Sequence, residues 1–416
     1  MYTFISSVDK EMFDNFILNS PSGSFFSLSV RKRLKEEDSR FKGHLLGMED
    51  ENKNLVAAAM LLYMPNKRIK TGWITYGPVL DFSNKKLLKE FLQNIDKFCR
   101  KIKLDVINIE PPFNIRKYDH KLNKLYESTD DITNEFKELG YEYLGTKDLG
   151  GNYQLRHTIV MDLSLSEEEL YKNLSSSKKQ CIVKNDKYYK LRLVEGDERD
   201  LKYLLEFRNQ LAEQKNFFVE PLSYYETLYK KVNEEHKASI VKLILNVDEA
   251  IKNIEADIKE VIKRIPEAKE KDKVNLEAQV ESLKKRISDM EAYKENNGSK
   301  EEYVIGCGLR VYINDTVINL FGHADKRLAN IGATNIRIWL MLLDAKREGY
   351  KYNDLYGLPD PFDESCSDNN LRTYKLDFGG CVIENVGAFK KILNKRRYII
   401  FNFLSKINKK INRMKG

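Results

Sequence analysis

The sequence predicts a mixed α/β (α+β) protein built from two related α/β domains in tandem, with an antiparallel helical hairpin inserted into the second. Three observations carry this expectation. One order of strand-like and helix-like segments occurs twice, a charged stretch between Val247 and Met290 holds two heptad runs, and 416 residues exceed one ordinary core.

In the first occurrence, NLVAAAMLLYM and GWITYGPVL read as strands, LLKEFLQNIDKFCRKI as an amphipathic helix and DVINIEPPF as a third strand. The second runs EYVIGCGLRVY, TVINLFGHA, TNIRIWLMLLDAKREG and YNDLYGLPDP in the same order. Both end in a short polar or proline turn, which suggests duplication rather than two unrelated halves. The helix-like segments SEEELYKNLSSSKKQCIVKNDKYY and DLKYLLEFRNQLAEQKNF precede the hairpin and belong to the second domain.

Hairpin apolar residues fall at Val247, Ile251, Ile254, Ile258, Val261 and Ile265, then at Leu276, Val280, Leu283, Ile287 and Met290. Alternating steps of three and four make one narrow seam on each helix. Pro266, within the polar PEAKEKDK, cannot continue a helix, so the chain turns back there. The two seams then cover each other, which lets the pair project as a coiled-coil arm. The domain boundaries that follow are 1–150 for the first domain, 151–245 with 299–380 for the second, and 246–298 for the arm. Residues 381–416 return to the first domain and end in a basic tail.

The composition, 42% hydrophobic with 9 prolines, excludes a disordered or fibrous chain. The N-terminus lacks the basic and apolar regions of a signal peptide, and no apolar run reaches the roughly 18 residues of a membrane span. Cys99, Cys181, Cys307, Cys366 and Cys381 are scattered without CxxC spacing, so neither a disulfide framework nor a zinc site is indicated. A reducing cytoplasm fits that pattern. HExxH, GxSxG and Walker sequences are missing, and RLANIGATN does not match the acetyl-CoA phosphate loop. The same glycine and small residues, just ahead of a helix, would suit a phosphate.

YGPVLDF, NIEPPF, HTIVMDLSLSEEELYKNLSSSKKQCIVK, the charged hairpin, NLFGHAD, DLYGLPDP and TYKLDFGG follow one another in this order. Together they resemble the Fem family of non-ribosomal peptidyltransferases over nearly the whole chain. The resemblance implies two tandem GNAT-like domains and transfer of an amino acid from aminoacyl-tRNA to a stem-peptide amine of a cell-wall precursor. That acceptor is lipid II or its UDP-linked muropeptide precursor. No cofactor is implied beyond aminoacyl-tRNA as co-substrate, and no metal.

Aminolysis of an ester needs a neutral amine, stabilisation of charge developing on the carbonyl oxygen, and a proton for the departing ribose oxygen. The resemblance places Tyr374 and Lys375 of TYKLDFGG at the active site, where a lysine suits a phosphate or an oxyanion. Glu110 of NIEPPF stands where the family has an acidic residue facing the cleft. It either orients or deprotonates the amine or simply forms the turn before Pro-Pro. Asn319 and Phe321 of NLFGHAD occupy substrate-side positions where a family member carries tyrosines, so those hydroxyls are missing here. The resemblance aligns Lys215 with a family arginine that contacts the precursor's phosphates, keeping the charge without the bidentate fork, and Lys35 with a second phosphate-binding lysine, which reads equally as part of a solvated helical face. His323 has no motif around it and reads as a packed or surface side chain.

From Phe389 onward the chain carries ten Lys or Arg and no acid, interleaved with Ile, Leu, Phe and Tyr. Residues 389–416 therefore read as an amphipathic helix lying on an anionic membrane surface, in preference to a nonspecific RNA-binding tail. The expected location is the cytoplasm, peripheral to the inner leaflet of the plasma membrane. The hairpin has charges of alternating sign, so tRNA contact and a structural or homo-oligomer contact stand equally. Two competing functions remain: a GNAT-like acetyl-CoA N-acyltransferase, and a non-enzymatic membrane-associated RNA-binding adaptor.

Overall fold

The computed structural model describes residues 2–145, 156–215, 217–363, 369–401 and 403. The expected domain join at 150/151, Cys366 and most of the basic tail lie outside these residues. Two compact units emerge, Met1–Val160 with Tyr356–Leu376 and Gly380–Gly416, and Met161–Leu355 with Asp377–Gly379.

In the first unit, strands Thr3–Ile5, Lys42–Glu49, Leu55–Tyr63, Thr71–Thr75, Val106–Glu110, Phe389–Ile392 and Glu142–Tyr143 hydrogen-bond in that order. Neighbours are antiparallel except Thr71–Thr75 and Val106–Glu110, which run parallel from Thr71↔Val106 to Thr75↔Glu110. A parallel pair needs a crossover, and the helix Lys85–Lys101 supplies it. Asn84 caps that helix by accepting from the Leu87 amide. Its Leu88, Phe91, Leu92, Ile95 and Cys99 are fully buried against the sheet's Leu61, Ile74, Ile107 and Ile109. A separate ladder of the same unit joins His157 to Val160 of the strand His157–Asp162 with Cys381–Asn385, and then Asn114–Tyr118 and Lys124–Glu127.

The second unit repeats the plan. Arg192–Gly196, Lys237–Leu245, Tyr303–Ile313 and Thr316–Ala324 form an antiparallel run, and the strand Tyr352–Leu358, of which the part up to Leu355 belongs to this unit, adds in parallel at Thr316↔Tyr352. The crossover helix is Ala333–Arg347, with Ile336, Met341 and Leu342 fully buried. The duplicated order of strand, strand, helix and strand is thus present in both units.

The charged stretch forms helices Val247–Arg264 and Glu270–Asn297. They are antiparallel, since Lys294 near the end of one reaches both carboxylate oxygens of Asp248 at the start of the other (2.6 and 2.8 Å). Val247, Ile254 and Val261 are buried on the first, and Leu283 and Met290 on the second, each set at the seven-residue step of a heptad. They are fastened to the unit along much of their length rather than projecting directly from it. Asp257 accepts from Lys187 and the Tyr188 hydroxyl (both 2.6 Å), Arg286 donates to the Tyr189 hydroxyl (2.6 Å), and Tyr293 donates to Asp325 (3.0 Å).

The expected surface helix does not begin at Phe389. Phe389–Ile392 is a strand paired with Val106–Ile109, and the Phe389 ring is fully buried, stacked on Phe136 at 4.0 Å. Helix begins only at Lys395, with Asn394 accepting from the Arg397 amide. Burying Phe389 in the core outweighs leaving it at a surface.

Candidate active site

The parallel strands Thr71–Thr75 and Val106–Glu110 both stop at the same level, for two different local reasons. After Thr75 the backbone turns left-handed at Tyr76 (φ 50°) and passes through a cis Gly77–Pro78 peptide. After Glu110 come Pro111 and Pro112, neither of which has an N–H to give a ladder. The last link between the strands is the Gly77 amide donating to the Glu110 carbonyl (3.1 Å). Beyond it lies a cavity of 20 Å³, lined by Tyr76, Glu110, Arg156 and Asn385 among others, with room for about one water molecule.

Glu110 is 7% exposed and Arg156 only 3%, and they form an ion pair at 3.8 Å across this cavity. Gly387 closes one side with φ 103°, and a side chain there would meet the Gly145 carbonyl and the Arg156 guanidinium. Only glycine adopts that backbone so close to the Gly145 carbonyl.

The Phe26 ring connects this end of the sheet to Lys375. It stacks on Tyr76 (centroids 4.8 Å, 25°) and on Tyr356 (5.0 Å, 26°). Ser27 Oγ donates to the Tyr76 carbonyl (2.6 Å), and Tyr356, like Tyr76, is left-handed (φ 62°). Lys375 lies on the helix Asn369–Leu376, and its Nζ donates to the carbonyls of Tyr356 (3.0 Å) and Gly357 (2.6 Å). Next to it, Leu376 packs on Tyr118, Leu358 and Val382, which fixes the helix, while Arg372 donates to the Pro361 and Asp363 carbonyls. Lys375 is therefore a partly buried helical residue held by main-chain oxygens, not a solvated strand lysine. Tyr374 is partly buried beside it.

Glu110, Tyr374 and Lys375 thus belong to one unit. Lys35 is in that unit too, on the helix Ser29–Glu36 with its ammonium over the Phe41 ring at 5.4 Å. Lys215, Asn319 and Phe321 belong to the other unit.

There, Arg208 on the helix Leu201–Lys215 lies over the rings of Phe321 (5.2 Å), Phe217 (5.5 Å) and Tyr225 (5.9 Å). Its Nη1 is 3.3 Å from His323 Nε2. A guanidinium can only donate, so the imidazole accepts through Nε2 and is neutral. Burial, and then the nearby Arg208 and Arg337, push the His323 pKa down to about 3. Gly322 lets Arg337 pass: a Cβ there would lie 2.2 Å from Nη1. Asn319 donates to Asn353 (2.7 Å), and Lys215 is exposed at its helix end, near enough to Lys326 to depress that lysine's pKa after desolvation.

Sequence reasoning missed Arg156, Tyr76, Tyr356 and Arg208. The paired Tyr-Gly dipeptides in TYGPV and LYGLP were the available signal for two of them.

Comparison with known proteins agrees with this architecture. Aminoacyltransferase FemA of Staphylococcus epidermidis is 25% identical over 424 residues, spanning 98% of this chain and 100% of that protein. Aminoacyltransferase FemB of the same species is 24% identical over 417 residues, spanning 96% and 98%. The crystal structure of FemX superposes with a TM-score of 0.74 at 20% identity, over 96% of this chain and 99% of that one, and so shares the fold. The FemAB family model matches residues 8–406, almost end to end, and the chain belongs to the FemAB family.

Proposed function

We propose that this FemAB-family chain is an aminoacyltransferase that carries an amino acid from aminoacyl-tRNA to the stem-peptide amine of a peptidoglycan precursor, lipid II, to build the interpeptide bridge. Its near full-length similarity to FemA and FemB, both named aminoacyltransferases, is the observation that carries the reading. In the reaction the amine nitrogen attacks the ester carbonyl, the bond to the ribose oxygen breaks, and the amine's proton leaves with that oxygen. Lys375, fixed by two carbonyls, offers a preorganised cation for the oxyanion or an acceptor-end phosphate. Glu110, paired with Arg156, is the group in the same unit suited to orient or deprotonate the amine.

Attachment to the inner leaflet is part of the proposal. Among the described residues no helix is long and apolar enough to cross a membrane, so the basic C-terminal segment is the candidate for peripheral contact. The test is transfer from mixed radiolabelled aminoacyl-tRNAs to lipid II in anionic liposomes, and in parallel to the soluble UDP-linked precursor. Label in either acceptor supports the reading, and label in neither, with both substrates bound, defeats it.

A further inference from the structure

Where strand Phe389–Ile392 gives way to the C-terminal helix, the first unit holds a second, larger cavity of 580 Å³. Five cations line it: Arg100 at the end of the helix Lys85–Lys101, Lys103 in the following turn, and Lys395, Arg396 and Arg397. Leu104, Ile392 and Leu393 complete the apolar part of the wall, and no carboxylate among the described residues lines it. Two of the cations are clamped. Arg100 donates to the Leu393 carbonyl and Arg397 to that of Arg68 (3.0 Å), with the fully buried Asp105 3.5 Å from Arg397. Lys103, Lys395 and Arg396 make no ion pair among the described residues.

Like charges gathered around one cavity repel, and a ligand with several anionic oxygens removes that repulsion. The side chains just beyond the cations show what carries those oxygens. Ile399, Ile400 and Phe403 are 65%, 60% and 64% exposed. A cation-lined cavity bordered by exposed aliphatic and aromatic groups matches a lipid interface, where phosphates and hydrocarbon lie a few ångströms apart. A soluble phosphate would leave the apolar groups in water.

We propose that this cavity binds the phosphate of an anionic phospholipid headgroup, with Ile399, Ile400 and Phe403 entering the acyl boundary beside it. The inference rests on the peripheral attachment proposed above and assigns that attachment to a built site rather than to diffuse charge.

The test is co-sedimentation of the full chain with vesicles of phosphatidylcholine alone or mixed with phosphatidylglycerol. The parent should sediment with the mixed vesicles and not with phosphatidylcholine. Lys103→Glu with Arg396→Glu should lower partitioning roughly tenfold or more. The equal charge change Lys409→Glu with Lys410→Glu should lower it much less, and equal losses for both pairs would mean diffuse attraction and overturn the site. Ile400→Ser with Phe403→Ser should weaken vesicle binding but leave protection of the cavity by glycerol phosphate unchanged. If those variants bind the mixed vesicles as the parent does while glycerol phosphate binds normally, the cavity takes a phosphate without an acyl boundary beside it and the lipid assignment fails. Transfer to the soluble UDP-linked acceptor, measured on the same variants, reports folding and activity without a membrane. Loss of partitioning with that transfer intact supports the site, whereas charge-dependent partitioning without any transfer would retain it and remove the enzymatic reading.

Discussion

The ammonium of Lys375 is held 3.0 Å from the carbonyl oxygen of Tyr356 and 2.6 Å from that of Gly357. A lysine ammonium has three donors, so these two bonds fix its direction as well as its position. The carbonyls belong to the strand Tyr352–Leu358 at the left-handed Tyr356, whose ring stacks on Phe26, so the charge is placed by the fold and not by its own flexible stem.

Lys375→Met should therefore reduce the transfer rate constant by about 100-fold to 1,000-fold, the usual loss when one preorganised donor to a developing oxyanion is removed. The same change should cost only about 1–3 kcal/mol of stability, from the two carbonyls left without their donor. Single-turnover transfer and urea unfolding separate the effects. Retained transfer in a destabilised variant would make Lys375 a strut.

Phe26 is 4% exposed and stacked on both left-handed tyrosines. Phe26→Ala should destabilise by about 3–5 kcal/mol, with an unchanged denaturant slope. Phe26→Leu combined singly with Tyr76→Leu and Tyr356→Leu should give coupling energies of about 0.5–1.5 kcal/mol for each ring pair. Additive losses would mean that the rings only fill space.

Much of this arrangement was legible in the sequence, and the reasons it was not all legible are physical. An unbroken apolar run marks Leu55–Tyr63, which is buried along most of its length, and 3.6-residue periodicity marks Lys85–Lys101, because one face of that helix meets a core. The heptad seam at Val247, Ile254 and Val261 follows from the same logic. GWITYGPVL, by contrast, reads as one strand but is divided at Tyr76 into Thr71–Thr75 and Val79–Leu80. The helix Asn369–Leu376 is eight residues with no apolar stripe, so TYKLDFGG showed nothing helical. The Glu110 partner, Arg156, is distant in sequence, and pairing across the fold leaves no local trace.

That pair makes a sharp test of what Glu110 does. Arg156→Met removes the counter-charge from a carboxylate that is 7% exposed and should cost about 3–5 kcal/mol, whereas Arg156→Met with Glu110→Gln should recover part of the loss. Glu110→Gln alone keeps the shape before Pro111. If Glu110 orients or deprotonates the amine, transfer by that variant should fall at least tenfold with a shifted pH profile, and if it only forms the turn, transfer should survive.

The neutral His323 gives the fold a definite acid response. Its pKa falls from 6.5 to about 3 on folding, so between those values the unfolded chain binds a proton that the native chain refuses. Stability supplied by the neutral ring is thus full above pH 6.5 and is lost as the pH falls toward 3, by at most about 1.4 kcal/mol per pH unit. Carboxylates titrate in the same range, so the informative quantity is the difference from a variant without the imidazole. His323→Gln keeps an oxygen acceptor for Arg208 and removes the titration. Its stability, measured by urea unfolding at a series of pH values, should fall less steeply than the parent's below pH 6.5. Parallel curves would mean that His323 takes up its proton in the native state, and Arg208 would then have to move off the ring.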